Sequence, residues 1–253
     1  MTLQEVSKQT LDIVANGRYV SPSGREVDIS SQVGHAVRGT VLHRPGEYSG
    51  LRVDTRPDAP APRIEVTDET TAQAGRRLVE EEPAGRVVAL NFASAKNPGG
   101  GFLTGAKAQE EDLARCSALY TCQLEHPGYY AANRADRSMI YSDHIIYSPD
   151  VPFFRGEDLS LLESPFLPSI ITAPAPNAGE ASSRGRREGR KVKAALEARA
   201  GYVLKVAAAH QHRTLVLGAW GCGVFRNEPE DVADAFGMWL EHAAFQGAFD
   251  RGV

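Results

Sequence analysis

The sequence predicts an α/β layered fold. Short apolar segments alternate along the chain with longer segments whose apolar residues recur at helical spacing. Two of the short segments lead directly into glycine-containing loops. Strands that alternate with long helices are typical of layered α/β domains, and 253 residues suffice for one such domain with an extension.

The first 60 residues are predicted to form an accessory extension. Thr2 and Glu5 match a capping box at the start of a helix, and Gly17 is placed to end that helix. Short alternating pieces follow, and the proline- and alanine-rich stretch 56–63 marks a boundary. We therefore predict an extension of a helix and short strands over residues 1–60 and a main domain over residues 61–253.

The main domain carries alternating strand and helix patterns. Strands are predicted at 63–67, 86–93, 139–149, 169–176 and 214–220. Helices are predicted at about 68–80, from near 109, at 186–210 and at 229–245. Asn227 is expected to be the N-cap of the last helix. Because ligands in such sheets bind at the carboxyl ends of strands, the two glycine-containing loops are expected to form two walls of one cleft.

Composition and charge narrow the class of protein. The net charge of −4 argues against a nucleic-acid binder that works through bulk charge. Three cysteines without a CxxC pair or a Cys/His cluster argue against a disulfide framework and against structural zinc. We see neither a signal-peptide pattern nor an apolar run of membrane-spanning length. We expect a soluble, cytoplasmic protein without a membrane partner.

A run of three glycines, Gly99, Gly100 and Gly101, precedes an acidic triplet at residues 110–112. Ordered glycine costs conformational entropy, so such a run suggests backbone held close to a ligand, often a phosphate. The run matches neither the Walker A loop nor the dinucleotide fingerprint, because a Gly-Lys pair is missing and a glycine falls one position late, at residue 105. Taken alone, a structural turn followed by acids that favour a helix N-terminus also explains these residues.

The spacing of this stretch resembles the motif of poly(ADP-ribose) glycohydrolases, in which three glycines and six to eight further residues precede Gln-Glu-Glu. Here the spacer is residues 102–108, and the triad is Gln109, Glu110 and Glu111. Blocks at 141–155, 171–177 and 217–227 resemble the bacterial, single-macrodomain branch of that family. The resemblance implies a macrodomain-like three-layer α/β/α sandwich with a mixed central sheet and an N-terminal extension.

The resemblance also implies an enzyme that hydrolyses the O-glycosidic ribose–ribose bonds of poly(ADP-ribose) and releases ADP-ribose without a metal or organic cofactor. Glu111 is then the general acid and later the base, beside an oxocarbenium-like transition state. Glu110 is expected to position the substrate through ribose hydroxyls. Neighbouring helical residues point about 100° apart, so the two carboxylates are expected to occupy different environments. We expect attack from chain ends.

The residues expected to bind ADP-ribose lie in both glycine loops. Backbone N–H groups of Gly99 to Gly101 and of Gly221 to Val224 are expected to hold the diphosphate. Phe225 is expected to pack over the distal ribose, which Asn97 also contacts. The full set is Asn97, Gly99, Gly100, Gly101, Gln109, Ala219, Gly221, Cys222, Gly223, Val224 and Phe225.

Two other functions compete with this interpretation. A macrodomain that binds ADP-ribose without cutting would not require the Gln-Glu-Glu triad, and a hydrolase of the same fold could remove single ADP-ribose groups from proteins. The expected partners are poly(ADP-ribose), ADP-ribose and poly-ADP-ribosylated proteins, with no sequence-specific nucleic acid, and the chain is expected to be a monomer. The basic run 184–193 could attract the polymer, but it is more typical of a solvated helix start.

Overall fold

The structure is a computed structural model that describes residues 1–81, 86–183 and 185–253, without the side chains at 186–188. In chain order its α-helices are α1 (Leu3–Asn16), α2 (Ser30–Gly39), α3 (Thr71–Glu81), α4 (Gln109–Cys116), α5 (Leu119–Leu124), α6 (Pro127–Ala135), α7 (Ala178–Ser183), α8 (Arg186–Ala209) and α9 (Pro229–Leu240). Its strands are β1 (Arg18–Val20), β2 (Glu26–Asp28), β3 (Val41–His43), β4 (Arg63–Ile64), β5 (Val87–Phe92), β6 (Ile145–Ser148), β7 (Phe153–Arg155), β8 (Leu161–Phe166), β9 (Ser169–Ala173), β10 (Thr214–Val216) and β11 (Arg251–Gly252).

A seven-stranded mixed sheet forms the centre of the fold. Its strand order is β3-β6-β9-β5-β10-β11-β4. The five strands from β9 to β4 run parallel, whereas β6 is antiparallel to both β9 and β3. The two pairs β1–β2 and β7–β8 form separate antiparallel hairpins.

Helices cover both faces of this sheet. Along β5, Val88 and Leu90 face a core shared with α8 and α9, whereas Val87 and Ala89 face a second core shared with α3, α4 and α5. Successive residues of a strand point to opposite faces, so a strand buried on both sides reads as a continuous apolar run. The predicted three-layer sandwich with a mixed central sheet is confirmed.

The N-terminal 60 residues pack closely on the rest of the chain. The capping box predicted at Thr2 is present, and Gly17 ends α1 with a left-handed φ of 67°. Strand β3 is an edge strand of the central sheet. On α1, Ser7 Oγ donates to the Phe102 carbonyl at 2.8 Å and Thr10 Oγ1 donates to the Arg115 carbonyl at 2.6 Å. The division at residue 60 stays a prediction, but these contacts make the segment part of the layer behind the glycine run.

The strand predicted at 139–149 begins only at Ile145, because residues 139–144 form a loop of unusual backbone conformation. Met139 and Tyr141 have positive φ angles of 65° and 64°. The buried Arg199 of α8 donates to the carbonyl of Tyr141 at 3.1 Å and pairs with Asp143 at 2.9 Å. A buried cation therefore holds this loop in a conformation that is unfavourable for non-glycine residues.

The last helix begins at Pro229 as predicted, but its predicted N-cap is wrong by one residue. The N-cap of α9 is Glu228, and the Asn227 side chain is buried and donates to the Pro176 carbonyl at 3.0 Å. The helix also ends earlier than predicted, at Leu240, and a short 3-10 turn follows at Ala243–Phe245. Asn227 is therefore a tertiary hydrogen-bond donor under the second glycine loop.

The basic run 184–193 coincides with the start of α8, as predicted for a helix start. Residue 184 and the side chains at 186–188 lie outside the described residues. Arg190 is exposed, and Lys193 pairs with Asp231 of α9 at 2.8 Å. Within the described ranges, no helix is both long and apolar enough to cross a membrane.

Candidate active site

The two glycine-containing loops leave the same edge of the sheet. The first, residues 97–105, follows β5, and the second, residues 217–227, follows β10. Strands β5 and β10 are parallel neighbours, so their carboxyl ends lie side by side. The arrangement agrees with the predicted pair of walls.

Helix α4 begins at the first residue of the Gln-Glu-Glu triad. Gln109 attaches this helix to the end of β5: its Oε1 accepts from the Phe92 N–H at 2.8 Å, and its Nε2 donates to the Leu90 carbonyl at 2.7 Å and to Thr71 Oγ1 at 3.1 Å. Both ends of the amide are used within the protein. Gln109 therefore supports the junction between α4 and β5, and its expected contact with ADP-ribose stays a prediction.

Glu110 is almost fully buried, with 3% of its surface exposed. Its Oε1 accepts from Asn91 Nδ2 at 3.1 Å and from Gln123 Nε2 at 2.9 Å, and its Oε2 accepts from the Ser94 N–H at 2.6 Å. Burial raises the pKa of Glu110 to about 7, although the three hydrogen bonds favour the ionised form; the neighbouring Glu111 adds to the rise. A carboxylate offers about four acceptor positions, so one position remains, on Oε2.

Glu111 is the next residue, but its exposure and its hydrogen bonds differ from those of Glu110. It is 9% exposed, and its Oε1 accepts from the Gly101 N–H at 2.8 Å. No described residue donates a hydrogen bond to its Oε2. The two neighbouring glutamates therefore occupy different environments, as predicted: one is enclosed by protein donors, and the other keeps an oxygen available.

The glycine run is shaped around these carboxylates. Gly99 and Gly100 have left-handed φ angles of 61° and 57°. A Cβ built on Gly100 would lie 2.3 Å from Glu111 Oε1 and 3.1 Å from Glu110 Oε2. Side chains essentially never approach a Cβ so closely, so only glycine leaves both carboxylates in place.

The N–H groups of the run were predicted to hold a diphosphate, and the hydrogen bonds contradict this. The Gly99 N–H donates to Gln123 Oε1 at 2.8 Å, the Gly100 N–H to the Asn97 carbonyl at 3.0 Å, and the Gly101 N–H to Glu111. All three donors have acceptors inside the protein. The physical reason is that the loop folds back onto α4 and α5.

The second loop has the free donors that the first loop lacks. No described residue accepts a hydrogen bond from the N–H groups of Gly221, Gly223 and Val224. Val224 is 86% exposed. These amides agree with the prediction of an anion-binding loop, since N–H groups in successive turns form sites for anions.

Cys222 does not fit its predicted contribution. Its N–H donates to the Ala219 carbonyl at 3.2 Å and is therefore used within the loop. Burial raises the pKa of its thiol, and the nearby carboxylates of Glu228 and Glu230 raise it further. The thiol is therefore not activated. Ala219 contributes to this loop through its backbone.

The remaining predicted residues lie at the two loops. Asn97 is exposed, and its backbone N–H donates to Ser94 Oγ at 3.2 Å. Phe225 is partly buried and packs against Tyr141, with ring centroids 5.8 Å apart. Phe225 therefore packs against the loop whose backbone Arg199 binds.

Several residues of the site were missed in the sequence. Asn91 is the one polar residue within the apolar run of β5, which is a signal that could have been used. Tyr141 lies in a block already noted for its resemblance. Gln123 carried no signal, because nothing in the sequence connects α5 to the glycine run.

Charged and sulfur-bearing side chains do not assemble a metal site in the part of the chain that the structure describes: no group of three or more His, Cys, Asp or Glu residues there could hold an ion.

A family model described as "Microbial-type PARG, catalytic domain" matches residues 7–156, more than half of the chain. The chain belongs to this family. The prediction of a poly(ADP-ribose) glycohydrolase, and therefore of a glycosidase, is confirmed. A search of curated protein sequences gave no significant match.

Solved structures of family members agree over nearly the whole chain. A poly(ADP-ribose) glycohydrolase (PARG) from Thermomonospora curvata is 46% identical with a TM-score of 0.93, covering 99% of this chain and 92% of that one. The same enzyme bound to the inhibitor ADP-HPD is 45% identical with a TM-score of 0.90, covering 99% and 91%. PARG from Deinococcus radiodurans in complex with ADP-ribose is 45% identical with a TM-score of 0.79, covering 89% and 90%.

Proposed function

We propose that this protein hydrolyses poly(ADP-ribose) from chain ends and releases ADP-ribose, with Glu111 as the general acid and then the general base. The observation that carries the proposal is the difference between the two glutamates. Glu110 is enclosed by three protein donors, whereas Glu111 is fixed by the Gly101 N–H at one oxygen and open at the other.

The first chemical step is protonation of the departing ribose oxygen. The protonated Glu111 carboxyl supplies this proton and is left ionised as the bond breaks. Access decides which oxygen passes it on. Glu111 Oε2 has no partner among the described residues and is therefore the donor.

The second step is attack by water on the oxocarbenium-like carbon. Glu111, now ionised, lies next to the developing positive charge and takes a proton from the water. Glu110 holds a ribose hydroxyl through the remaining acceptor position of Oε2. The charge of the pair thus stabilises the transition state, and the fixed geometry removes the need for reorganisation.

Substrate binding is assigned to the second loop and its neighbours. The free N–H groups of Gly221, Gly223 and Val224 take the diphosphate, while Phe225 and Asn97 bound the distal ribose. The complexes of related enzymes with ADP-ribose and with ADP-HPD support this choice of ligand. The chain-end mode is proposed because the chain belongs to the microbial branch of the family, for which attack from chain ends is expected.

The test measures ADP-ribose release from purified poly(ADP-ribose) by the parent, by Glu111→Gln and by Asp112→Asn. The Asp112 variant removes the same charge from the next residue, which is exposed and pairs with Arg115. We expect release by the parent and by Asp112→Asn, and a loss of about 100-fold or more in Glu111→Gln.

Other outcomes separate the alternatives. Binding of the polymer without release by the parent favours a non-catalytic reader. Release from a mono-ADP-ribosylated protein, but not from the polymer, favours the mono-ADP-ribosyl hydrolase. Early appearance of mid-length fragments contradicts the chain-end mode. The monomeric state and the cytoplasmic location stay predictions.

A further inference from the structure

We infer that Gln123 is a positioning residue that fixes the glycine run and Glu110 relative to each other; this inference rests on the proposed function of the two glutamates. Gln123 lies on α5 and has 0% of its surface exposed. Its Oε1 accepts from the Gly99 N–H at 2.8 Å, and its Nε2 donates to Glu110 Oε1 at 2.9 Å. One side-chain amide therefore joins the loop to the helix that carries the carboxylates.

The orientation of this amide has one solution. Turning it by 180° would place an NH2 group against the Gly99 N–H and a carbonyl oxygen against the Glu110 carboxylate. Both contacts are repulsive while Glu110 is ionised. Gln123 therefore accepts from the Gly99 N–H on one side and donates to Glu110 on the other, which an apolar residue of the same size could not do.

Helix α5 also supports Gly99 with a second side chain. A Cβ on Gly99 would lie 2.9 Å from the ring of Tyr120, and the same ring packs against Phe102 at a centroid distance of 5.1 Å. Gln123 and Tyr120 therefore both contact the run at Gly99, and Tyr120 also packs against Phe102, the residue that follows the run. Since Gly101 orients Glu111 through its N–H, a shift at Gly99 reaches both carboxylates.

The surroundings of Glu110 make the hydrogen bond from Gln123 important for the stability of the ionised carboxylate. The groups that face Glu110 include Asn91 and Ser94 as donors, Glu111 as a like charge, and Tyr129 and Tyr130 of α6, which burial keeps neutral. Within the described ranges, the hydrogen bonds to this carboxyl come from the neutral donors Asn91, Ser94 and Gln123. Each neutral donor therefore matters for the ionised form, and removal of the Gln123 donor disfavours it.

The test compares Gln123→Met, Gln123→Glu and a control, Thr10→Val. Methionine keeps the length of the side chain but has no strong donor or acceptor. Glutamate keeps the acceptor for Gly99 and supplies a donor to Glu110 only when it is protonated. Thr10→Val removes buried hydrogen bonds of similar length to the Arg115 carbonyl and to Arg155, on the other side of α4.

The kinetic readout is the pH profile of ADP-ribose release. For Gln123→Met we expect kcat to fall about 10- to 100-fold with a smaller change in KM, because the carboxylates are misplaced while substrate contacts elsewhere remain. For Gln123→Glu we expect partial recovery toward acidic pH. Thr10→Val should lose a similar amount of thermal stability but keep kcat and the parent's profile.

A second readout does not depend on activity. In protein labelled with 13C at glutamate carboxyl carbons, the Glu110 signal is assigned by its absence in Glu110→Gln and titrated in each variant. We expect Gln123→Met to move the Glu110 titration to higher pH, and Thr10→Val to leave it in place. If the parent releases no ADP-ribose, the proposed function fails while this titration still decides the role of Gln123.

The inference is overturned if Glu110 titrates at the same pH in Gln123→Met as in the parent. It is also overturned if that variant keeps the parent's kcat and pH profile after losing no more stability than Thr10→Val.

Discussion

Replacement of Gly100 by alanine tests whether the glycine run exists to admit the carboxylates. The new Cβ would lie 2.3 Å from Glu111 Oε1, whereas ordinary contact begins at 3.4 Å. The carboxylate must therefore move by about 1 Å, a displacement that can cost about 100-fold in rate. That loss corresponds to about 2.7 kcal/mol of transition-state stabilisation.

The alanine also adds backbone strain, which needs its own control. Gly100 has a φ of 57°, and a left-handed conformation costs a non-glycine residue about 1–2 kcal/mol. Gly24 has a φ of 82° and no atom within 4 Å of a built Cβ. Gly24→Ala therefore carries comparable strain without the clash, and we expect it to lower the melting temperature while keeping the rate.

The assay is initial ADP-ribose release combined with thermal unfolding of each variant. A double variant, Gly100→Ala with Glu111→Ala, shows whether the two changes act through one contact, because coupled changes are not additive. We expect the second change to add little to the first. A folded Gly100→Ala protein with the parent's rate would refute the reasoning, as would full additivity in the double variant.

Three further predictions concern stability. Because burial raises the pKa of Glu110 to about 7, the folded state holds a proton that the unfolded chain releases near pH 4.5, so about 3 kcal/mol is lost as pH rises between these values. Glu110→Gln should remove this slope in urea titrations, and an unchanged slope would contradict the assignment. Burial lowers the pKa of His212 to about 4, so stability falls as pH drops from 6.5 toward 4; His212→Phe should flatten that fall, and equal acid sensitivity would count against it. A Cβ on Gly201 would lie 2.6 Å from the Trp239 ring between α8 and α9, so Gly201→Ala should cost about 1–3 kcal/mol and change tryptophan fluorescence; an unaltered melting temperature would show that the helices yield.

The layered fold was predictable because its strongest signals are local. The segment that contains β5 is buried on both faces and reads as an apolar run with a single polar residue, Asn91, which indicates a central strand. The apolar residues that follow Gln109 at helical spacing predicted a helix beginning near that residue, and α4 begins there. Both features depend on neighbours in sequence.

The support of the site was not predictable, because it depends on contacts between distant segments. Gln123 meets Gly99 only after α5 folds back across the loop, and Asn91 meets Glu110 across the sheet edge. The interpretation of the glycines was wrong for a related reason. A glycine indicates that something comes close to the backbone, but not whether it is a ligand or another side chain of the same chain.

Because Glu111 comes so close to Gly100, we expect these two positions to be coupled in evolution. While the glutamate is needed for catalysis, we expect selection to act against any larger residue at Gly100, because a Cβ there would displace the carboxylate. A descendant that gave up bond cleavage would lose this constraint. A larger residue at the position of Gly100 should therefore mark homologues that have lost catalytic activity, even where the glutamate is still present.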